Sequence, residues 1–330
     1  MKVAIFGSKE FDSLEYHFND SFKHLGHEVV QFDIKDYAPL PYVYNYWAIK
    51  FLKKYGRYLS VKIAKKIMDL RPDIVICSYR FIHPDAIKLL KSNLKGVPVV
   101  QLNPDALTTF EDQQVFASPY DAYFTKDPFI VNFMKNKAGL NAHYLPEAFN
   151  QRIHKAPNEN RIQLENNTNI DVLAFGSMYP YRANIIRKLV DSGIKPTLFG
   201  MPDWRFGTSP IDQYFNREYI TGARKSELLY GAKIVFNNFH YAEVESVNVK
   251  FFEISGIGGF QICDYKDAIK DYSVLDPKDF TFKTIDEAQE LIAHYLPKQG
   301  LRHELAAKQA EHFLNHHTYD IRVEQMLKHI

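Results

Sequence analysis

Two glutamates stand eight residues apart in the run HYAEVESVNVKFFEISGIGGFQIC at 240–263. A predicted helix begins between them, near Val249. Its N-terminus would present free backbone N–H groups and the positive end of the helix dipole, which suits a phosphate or diphosphate. Glu253, one turn further on, could accept hydrogen bonds from two vicinal hydroxyls of a ribose, and Glu245 could face a sugar beyond the diphosphate. The alternative is a loop acid and a helix acid whose spacing is accidental.

The residues of this helix start are expected to line the anion site. They are Ser246, Val247, Asn248, Val249 and Lys250. Lys250, in the first turn, would add a point charge to the backbone donors.

Further basic residues and glycines could complete a diphosphate site. Arg182 follows Gly176 and Ser177, which end a predicted strand, although an arginine on a helix surface is the alternative. Gly222 is also expected in the nucleotide-sugar site. Arg224 and Lys225, which come directly after Gly222, are weaker candidates.

A group that acts on an acceptor would come from the first half of the chain. Asp105 follows the predicted strand 97–102, and His83 follows the strand 73–77. Ligands bind at the carboxyl ends of parallel strands, which favours both residues. The alternatives are a turn cap for Asp105 and a helix-entry residue before Pro84 for His83. Gly7 could let a donor or acceptor approach the backbone closely.

The elements that must position these residues alternate between buried strands and helices, which predicts parallel sheets with covered faces. The sequence IFGS at 5–8 recurs as AFGS at 174–177, at the head of each half. We therefore expect an α/β fold with two Rossmann-like domains, whose sheets face each other across a cleft. The predicted bounds are 1–150, a polar linker at 151–169, a nucleotide-sugar-binding domain at 170–312, and a final helix at 313–330 that packs back on the first domain.

Composition limits the class of protein. The chain has 330 residues and a net charge of +2, which gives no global field for nucleic acid. No apolar run is long enough to cross a membrane, so a cytoplasmic location is expected. Aromatic residues reach 15%, with a concentration of tyrosines at 37–58. That segment is expected to help define the acceptor site. Its tyrosine stripe at 42–46 could stack on a sugar or lipid, or could pack between the domains. For the chain as a whole, a peripheral membrane contact and the oligomeric state stay open.

Several motifs resemble those of the spore-maturation-protein (CgeB-like) glycosyltransferases. The stretch VKFFEISGIGGFQICD is similar to that family's R-V-F-E-A…G-G, with Lys250 in place of arginine, and 317–322 (HTYDIR) is similar to its H-T-Y-x-x-R. LAFGSMYPYR at 173–182, VPVVQLNPDA at 97–106 and YDAYFTKDP at 120–128 also resemble it. The resemblance implies the GT-B superfamily, with a C-terminal domain of the group-1 type.

The resemblance implies transfer of a sugar, a hexose in the first instance, from a UDP- or GDP-type donor to an acceptor. Glu253 would bind the ribose and Glu245 the donor sugar, with retention of stereochemistry and a role in polysaccharide biosynthesis. Negative charge builds on the leaving diphosphate. The sequence has no D-x-D motif, so no metal site and no cofactor are predicted.

The acceptor stays open among a glycan, a lipid-linked glycan, a protein and a small molecule. A phage-type DNA glucosyltransferase shares a similar L-R-V-W-E element, although the balanced charge disfavours a DNA acceptor. A non-catalytic nucleotide-sugar-binding protein is the third reading.

Overall fold

The computed structural model describes residues 1–39, 41–103, 114–203, 207 and 210–330. The chain divides into two compact units. The first comprises Met1–Pro146 and Tyr319–Ile330, and the second comprises Glu147–Thr318.

The first unit has a six-stranded parallel sheet in the order β2-β1-β3-β4-β5-β6. Its strands are β1 Lys2–Phe6, β2 Glu28–Phe32, β3 Ile74–Cys77, β4 Val99–Asn103, β5 Ala122–Thr125 and β6 Ala142–Tyr144. The helices of its first segment, Met1–Pro146, are α1 Leu14–His24, α2 Tyr42–Phe51, α3 Lys53–Leu70, α4 Pro84–Asn93, α5 Gln114–Ala117 and α6 Pro128–Asn136.

The central strands of this sheet are buried along their length, as a parallel sheet covered by helices requires. Side-chain caps set several helix starts: Ser13, His83 and Asp127 each accept a hydrogen bond from a backbone N–H in the first turn. Pro84 and Pro128 occupy the first helical position, where a missing N–H costs nothing.

The second unit has a five-stranded parallel sheet in the order β11-β10-β9-β7-β8. Its strands are β7 Val172–Phe175, β8 Pro196–Phe199, β9 Ile234–Asn237, β10 Gln261–Asp264 and β11 Thr281–Phe282. Its helices are α7 Arg161–Thr168, α8 Pro180–Asp191, α9 Gly222–Gly231, α10 Val249–Ile257, α11 Ile269–Tyr272, α12 Ile285–Tyr295 and α13 Gln299–His316. Two parallel α/β sheets in one chain agree with the expected fold class.

The last helix, α14 Tyr319–Leu327, belongs to the first unit. The ring of Tyr319 lies 5.0 Å from that of His17 and 5.6 Å from that of Phe18, both on α1. Arg322 Nε donates to the Pro146 carbonyl at 3.1 Å. The HTYDIR segment therefore carries the chain from the second unit, which ends at Thr318, back to the first.

The division differs from the predicted domain bounds in one important place. The segment 151–169 is not a linker but part of the second unit, and it contains α7. Its polar, Asn-rich composition is misleading because Glu165 faces inward and is 2% exposed. The first boundary falls after Pro146, and residues 313–318 remain with the second unit.

A buried ion pair holds α7 in place. Glu165 Oε1 lies 2.8 Å from Arg302 Nη2 on α13, and Glu165 Oε2 lies 2.8 Å from His303 Nε2. Arg302 is 1% exposed and also donates to the carbonyls of Tyr295 and Leu296. The pair joins two helices that are far apart in the sequence.

No helix in the described part of the chain is long and apolar enough to span a membrane. Cys77 and Cys263 are both free and buried, and burial raises the pKa of each thiol.

Replacement of Glu165 by alanine should strongly destabilise the protein. The substitution leaves the Arg302 guanidinium buried without its carboxylate, which costs about 3 to 5 kcal/mol of unfolding free energy. Urea denaturation measures this loss. Glu159→Ala, at an exposed acid in the same segment, should change stability by about 0.5 kcal/mol or less. Equal effects of the two variants would contradict an anchoring role for α7.

Candidate functional site

The order of strands in the second unit creates a crevice at the carboxyl ends of its strands. β7 lies between β8 and β9, so the chain continues to one side of β7 first and to its other side later. The loops that leave β7 and β9 diverge at this switch point, where ligands of open α/β sheets bind. Gly176 and Ser177 follow β7, and Asn238 follows β9.

Arg182, on α8, joins these two loops. Its Nη1 donates to the Ser177 carbonyl at 2.8 Å, and its Nε and Nη2 donate to Oδ1 and the carbonyl oxygen of Asn238 at 3.0 and 3.2 Å. The residue is buried, and burial lowers its pKa from the ordinary range. Neutral oxygen atoms accept these bonds, so the guanidinium is solvated without being neutralised.

Lys250, on α10, reaches the same place. Its ammonium donates to the carbonyl of Phe175, the last residue of β7, and lies 4.7 Å from the centre of the Phe175 ring. The residue is partly buried, and burial of the ammonium, followed by the charge of Arg182, lowers its pKa well below the usual range. Among the described residues, neither Arg182 nor Lys250 has a carboxylate within 4.0 Å.

Gly176 is the point on which the two cations converge. A Cβ added there would lie 2.6 Å from Lys250 Nζ and 3.5 Å from Arg182 Nη1. Its φ of +99° is also in the region that favours glycine. Gly200, after β8, approaches so closely that its Cβ would lie 2.7 Å from the Gly176 carbonyl oxygen. The backbone is therefore open to a ligand beside both charges.

A cavity of about 260 Å³ adjoins this point. The loops after β7 and β8 contribute most of its walls, and Tyr219 adds an exposed ring. The lining residues are Gly176, Ser177, Met178, Tyr179, Gly200, Met201, Asp203 and Tyr219.

The start of α10 differs in part from the prediction of free backbone donors. Asn248 is the N-cap, and its Oδ1 accepts from the Phe251 N–H at 3.1 Å. The Asn237 amide of β9 also donates to this oxygen, at 3.2 Å. Val247 is buried, as is Ser246, whose hydroxyl bonds to Glu243. One of the expected N–H groups is thus used within the helix cap.

Glu253 is enclosed on α10 and is 4% exposed. Its Oε1 lies 2.9 Å from Lys225 Nζ and 3.6 Å from His154 Nε2. His154 Nδ1 accepts from the Asn150 N–H at 3.1 Å, so the Nε2 side of the ring faces the carboxylate. Lys225, a weaker candidate in the sequence, is thus the direct partner of Glu253.

The two acids before α10 differ in exposure. Glu245 is exposed, whereas Glu243 is buried and hydrogen-bonds to Ser246. Lys266 also donates to the Glu243 carbonyl. No sequence signal distinguished Glu243, because the eight-residue spacing drew attention to Glu245.

Asp264, at the end of β10, was also missed. Its Oδ2 accepts from the Phe239 N–H at 2.5 Å. Burial raises its pKa to about 6, although the Phe239 bond and the charges of Lys266 and Arg182 act the other way. The Asp264 carboxyl group therefore changes its charge near pH 6. It is close enough to Arg182 for the two groups to interact electrostatically.

The remaining candidates of the second unit lie at α9. Gly222 begins this helix with a φ of +53°. Arg224 is exposed and pairs with Glu218 and Glu227, at 3.3 and 3.0 Å. Its charge is therefore satisfied on the surface.

In the first unit, His83 is the N-cap of α4 and accepts from the Asp85 N–H at 3.2 Å. His83 is therefore the helix-entry residue that the sequence offered as the alternative to a role at the acceptor. Burial lowers the pKa of His83. His83 also lines a cavity of about 200 Å³. Asp105 lies outside the described residues.

Gly7 lies at the switch point of the first sheet, between β1 and β3. A Cβ there would lie 2.3 Å from Ser78 Oγ and 2.6 Å from Glu15 Cγ. The Ser78 hydroxyl bonds to Glu15. Close packing against Ser78 and Glu15 thus explains why a glycine is needed here. The same contact places Glu15, which the sequence analysis missed, where a ligand of this sheet would bind.

Residues 182–328 match a family described as glycosyl transferase-like. No curated protein shows significant sequence similarity to the chain.

Solved structures give a match over nearly the whole chain. Sucrose-phosphate synthase from Thermosynechococcus elongatus superposes with a TM-score of 0.71 and 10% identity, covering 99% of this chain and 97% of that one. The Anabaena protein HepE, solved with UDP and glucose, gives a TM-score of 0.65 and 11% identity over 99% and 98%. The DNA-modifying enzyme β-glucosyltransferase gives 0.60 and 12% over 100% and 99%. The predicted GT-B fold is thereby confirmed.

Replacement of Asp264 by asparagine should change how stability depends on pH. The raised pKa means that the folded state binds more protons than the unfolded state between about pH 4 and 6, so wild-type stability falls as the pH rises through this window. Asp264→Asn can still accept from Phe239 and removes this fall. At pH 7 the variant should be more stable by at most about 3 kcal/mol.

Urea denaturation at several pH values measures the difference. Asp267→Asn is the control, because Asp267 is exposed and its bond to Lys270 lowers its pKa. It should give no gain at pH 7. Parallel curves for Asp264→Asn and the wild type would show that Asp264 does not titrate in this window.

Proposed function

We propose that this chain is a GT-B glycosyltransferase of the CgeB-like group that transfers a hexose from a nucleotide-diphosphate sugar to an acceptor. The observation that carries the proposal is the convergence of Arg182 and Lys250 on Gly176 at the switch point of the second sheet. Two positive charges whose hydrogen-bond partners in the described part of the chain are neutral oxygens, beside an open backbone, are suited to a diphosphate. HepE, with the same fold, was solved with UDP and glucose.

The chemistry follows from the charge that develops during transfer. The bond between the sugar and the diphosphate breaks through an oxocarbenium-like state, and negative charge builds on the leaving diphosphate. Fixed cations stabilise that charge without reorganisation. We propose that Arg182 and Lys250 supply this stabilisation, in a reaction that is metal-independent and retains stereochemistry.

The carboxylates would hold the donor. Glu253 would accept hydrogen bonds from the ribose hydroxyls, with Lys225 and His154 fixing its orientation. A residue before α10, Glu245 or the buried Glu243, would contact the sugar. Asp105, His83 and Glu15 are the acceptor-side candidates. They leave the acceptor open among a glycan, a lipid-linked glycan, a protein and a small molecule. UDP- and GDP-sugars are the proposed donors, and no further cofactor is proposed.

Removal of either cation should weaken donor binding selectively. Arg182→Met and Lys250→Met each remove charge-assisted hydrogen bonds to the diphosphate, so affinity for UDP-glucose or GDP-mannose should fall about 10- to 100-fold. Calorimetric titration measures the affinity, after a thermal-shift screen over nucleotide sugars selects the donor. Arg224→Met, at an exposed arginine of the same unit, is the matched control and should bind normally.

The same titrations test whether Arg182 and Lys250 act on the diphosphate of the donor. Uridine or guanosine should bind the Met variants and the wild type almost equally, since neither carries phosphate. Unchanged donor affinity in both variants would refute the proposed diphosphate site. Release of free sugar from the donor by the wild type, with the anomer identified by NMR, separates an enzyme from a non-catalytic binder.

Donor binding should also be coupled to proton uptake. Lys250 has a lowered pKa in the free protein, and a bound diphosphate would raise it again. Between these two pKa values, binding takes up as much as about one proton, and affinity falls as the pH rises. Calorimetry in buffers of different ionisation enthalpy counts the protons. Lys250→Met should abolish the uptake, Arg224→Met should keep it, and equal uptake in both would assign it to another group.

A DNA acceptor is the second candidate, favoured by the likeness to the DNA-modifying β-glucosyltransferase. It predicts affinity for duplex DNA that decreases steeply with salt. Glucosylation of DNA in a donor-dependent assay would establish it, and the absence of both effects would remove it.

A further inference from the structure

One face of α2 in the first unit is apolar and exposed. Val43, Trp47 and Phe51 follow one another at intervals of four residues, so they lie on one side of the helix. Their exposed fractions are 63%, 48% and 70%, and that of neighbouring Tyr44 is 68%. Single exposed apolar residues are ordinary, but a contiguous stripe of large ones marks a binding surface.

The opposite face of α2 is already occupied. Asn45 is 1% exposed, and its Oδ1 accepts from the Tyr55 hydroxyl of α3 at 2.8 Å. Gly56 of α3 leaves room for Ile49, whose Cγ2 would lie 3.4 Å from a Cβ at that position. The helix therefore has a defined inner face, and its outer stripe is not part of the core between α2 and α3.

The aromatic rings of the stripe are ordered against one another. Trp47 and Phe51 stack with centroids 5.7 Å apart and planes 8° apart. Lys50 Nζ lies 5.7 Å from the Trp47 ring and 5.9 Å from the Tyr46 ring. The cation thus stands at the edge of an aromatic surface.

Basic residues are concentrated in the sequence around this stripe, although Arg57 pairs with Asp85 and Lys66 with Asp69. Between Asp36 and Asp69 the sequence has seven basic residues and no acidic one, whereas the other 34 basic and 39 acidic residues give the rest of the chain a net charge of −5. The seven are Lys50, Lys53, Lys54, Arg57, Lys62, Lys65 and Lys66. Lys53 and Lys54 are exposed at the start of α3, beside exposed Leu52, and have no ion-pair partner among the described residues.

We propose that the outer face of α2 and the start of α3, residues 43–58, dock on an anionic phospholipid surface. Aromatic and aliphatic side chains beside lysines are the composition of a helix that lies in a membrane interface, with rings among the acyl chains and ammonium groups at the phosphates. Trp and Tyr favour this boundary. The surface goes beyond sugar transfer and does not depend on it.

Two other occupants fit the surface less well. A second copy of the chain would bring two strongly basic segments together, and like charges oppose that contact. A polyanion such as nucleic acid would use the lysines but would not need Val43 or Phe51, which are apolar. An anionic bilayer uses both the stripe and the charge.

Vesicle co-sedimentation tests the proposal with the whole chain. Phosphatidylcholine vesicles that contain about a quarter phosphatidylglycerol should bind the protein at about 0.1 M salt, and pure phosphatidylcholine vesicles should bind it at least about tenfold more weakly. Lys53→Glu with Lys54→Glu should lower binding to the anionic vesicles at least about tenfold. Trp47→Ser with Phe51→Ser should do the same by removing the inserted rings.

Matched controls lie on α6 of the same unit. Phe129→Ser removes an exposed ring, and Lys135→Glu with Lys137→Glu reverses two exposed charges. Both should bind vesicles as the wild type does. All variants should keep wild-type circular dichroism and donor affinity, so a failure of docking is distinguishable from misfolding and from failure of the proposed activity.

Fluorescence gives a second measurement. The chain has two tryptophans, so the difference between wild type and Trp47→Phe reports Trp47. Anionic vesicles should shift that emission to the blue, and brominated lipid should quench it. Binding that survives the Trp47 and Phe51 changes, equal binding to neutral and anionic vesicles, a stripe-dependent dimer without vesicle binding, or tight binding to polynucleotide alone would each overturn the proposal.

Discussion

The positive charge at the switch point of the second sheet is the constraint on which the rest of this unit depends. Arg182 holds the loops after β7 and β9 together, and it does so through carbonyl and amide oxygens instead of carboxylates. Hydrogen bonds to neutral groups repay the lost hydration of a cation but leave its field intact. Lys250, bound to the Phe175 carbonyl, repeats the arrangement. An anion that entered here would meet two basic groups already oriented by the protein.

The other buried ions of the second unit are of a different kind. Glu165 and Arg302 neutralise each other within the packing of α7 on α13, and Lys225 lies against Glu253. A paired buried ion gives little net stability, but removal of one partner is costly, so such pairs fix geometry. The contrast separates charges that hold the fold from charges that are available to a ligand. Glu253 belongs to the first kind in the ligand-free chain, and a ribose would have to share it with Lys225.

The sequence predicted the features that depend on local pattern. Buried strands followed by Gly-Ser revealed both sheets, and a helix start after Asn248 placed Lys250 and Glu253 correctly on α10. Partners that lie far apart in the chain were not predictable. Arg302 is 137 residues from Glu165, and the burial that made Glu165 important is invisible in an Asn-rich segment. The eight-residue spacing pointed to Glu245 and gave no signal for Glu243, because spacing does not show which of two nearby acids turns inward.

The net charge of +2 conceals an uneven distribution of charge along the chain. A segment of the first unit carries seven basic residues without an acid, while the remainder is acidic overall. Exposed Trp47 and Phe51 lie within that segment, so part of the aromatic excess coincides with the charge asymmetry. The proposed diphosphate site of the second unit would act over a few ångströms on one bound group. The exposed lysines would act on an extended surface, and their field is screened within about 8 Å at physiological salt. Balanced composition therefore excludes a global field but not two local ones with different targets.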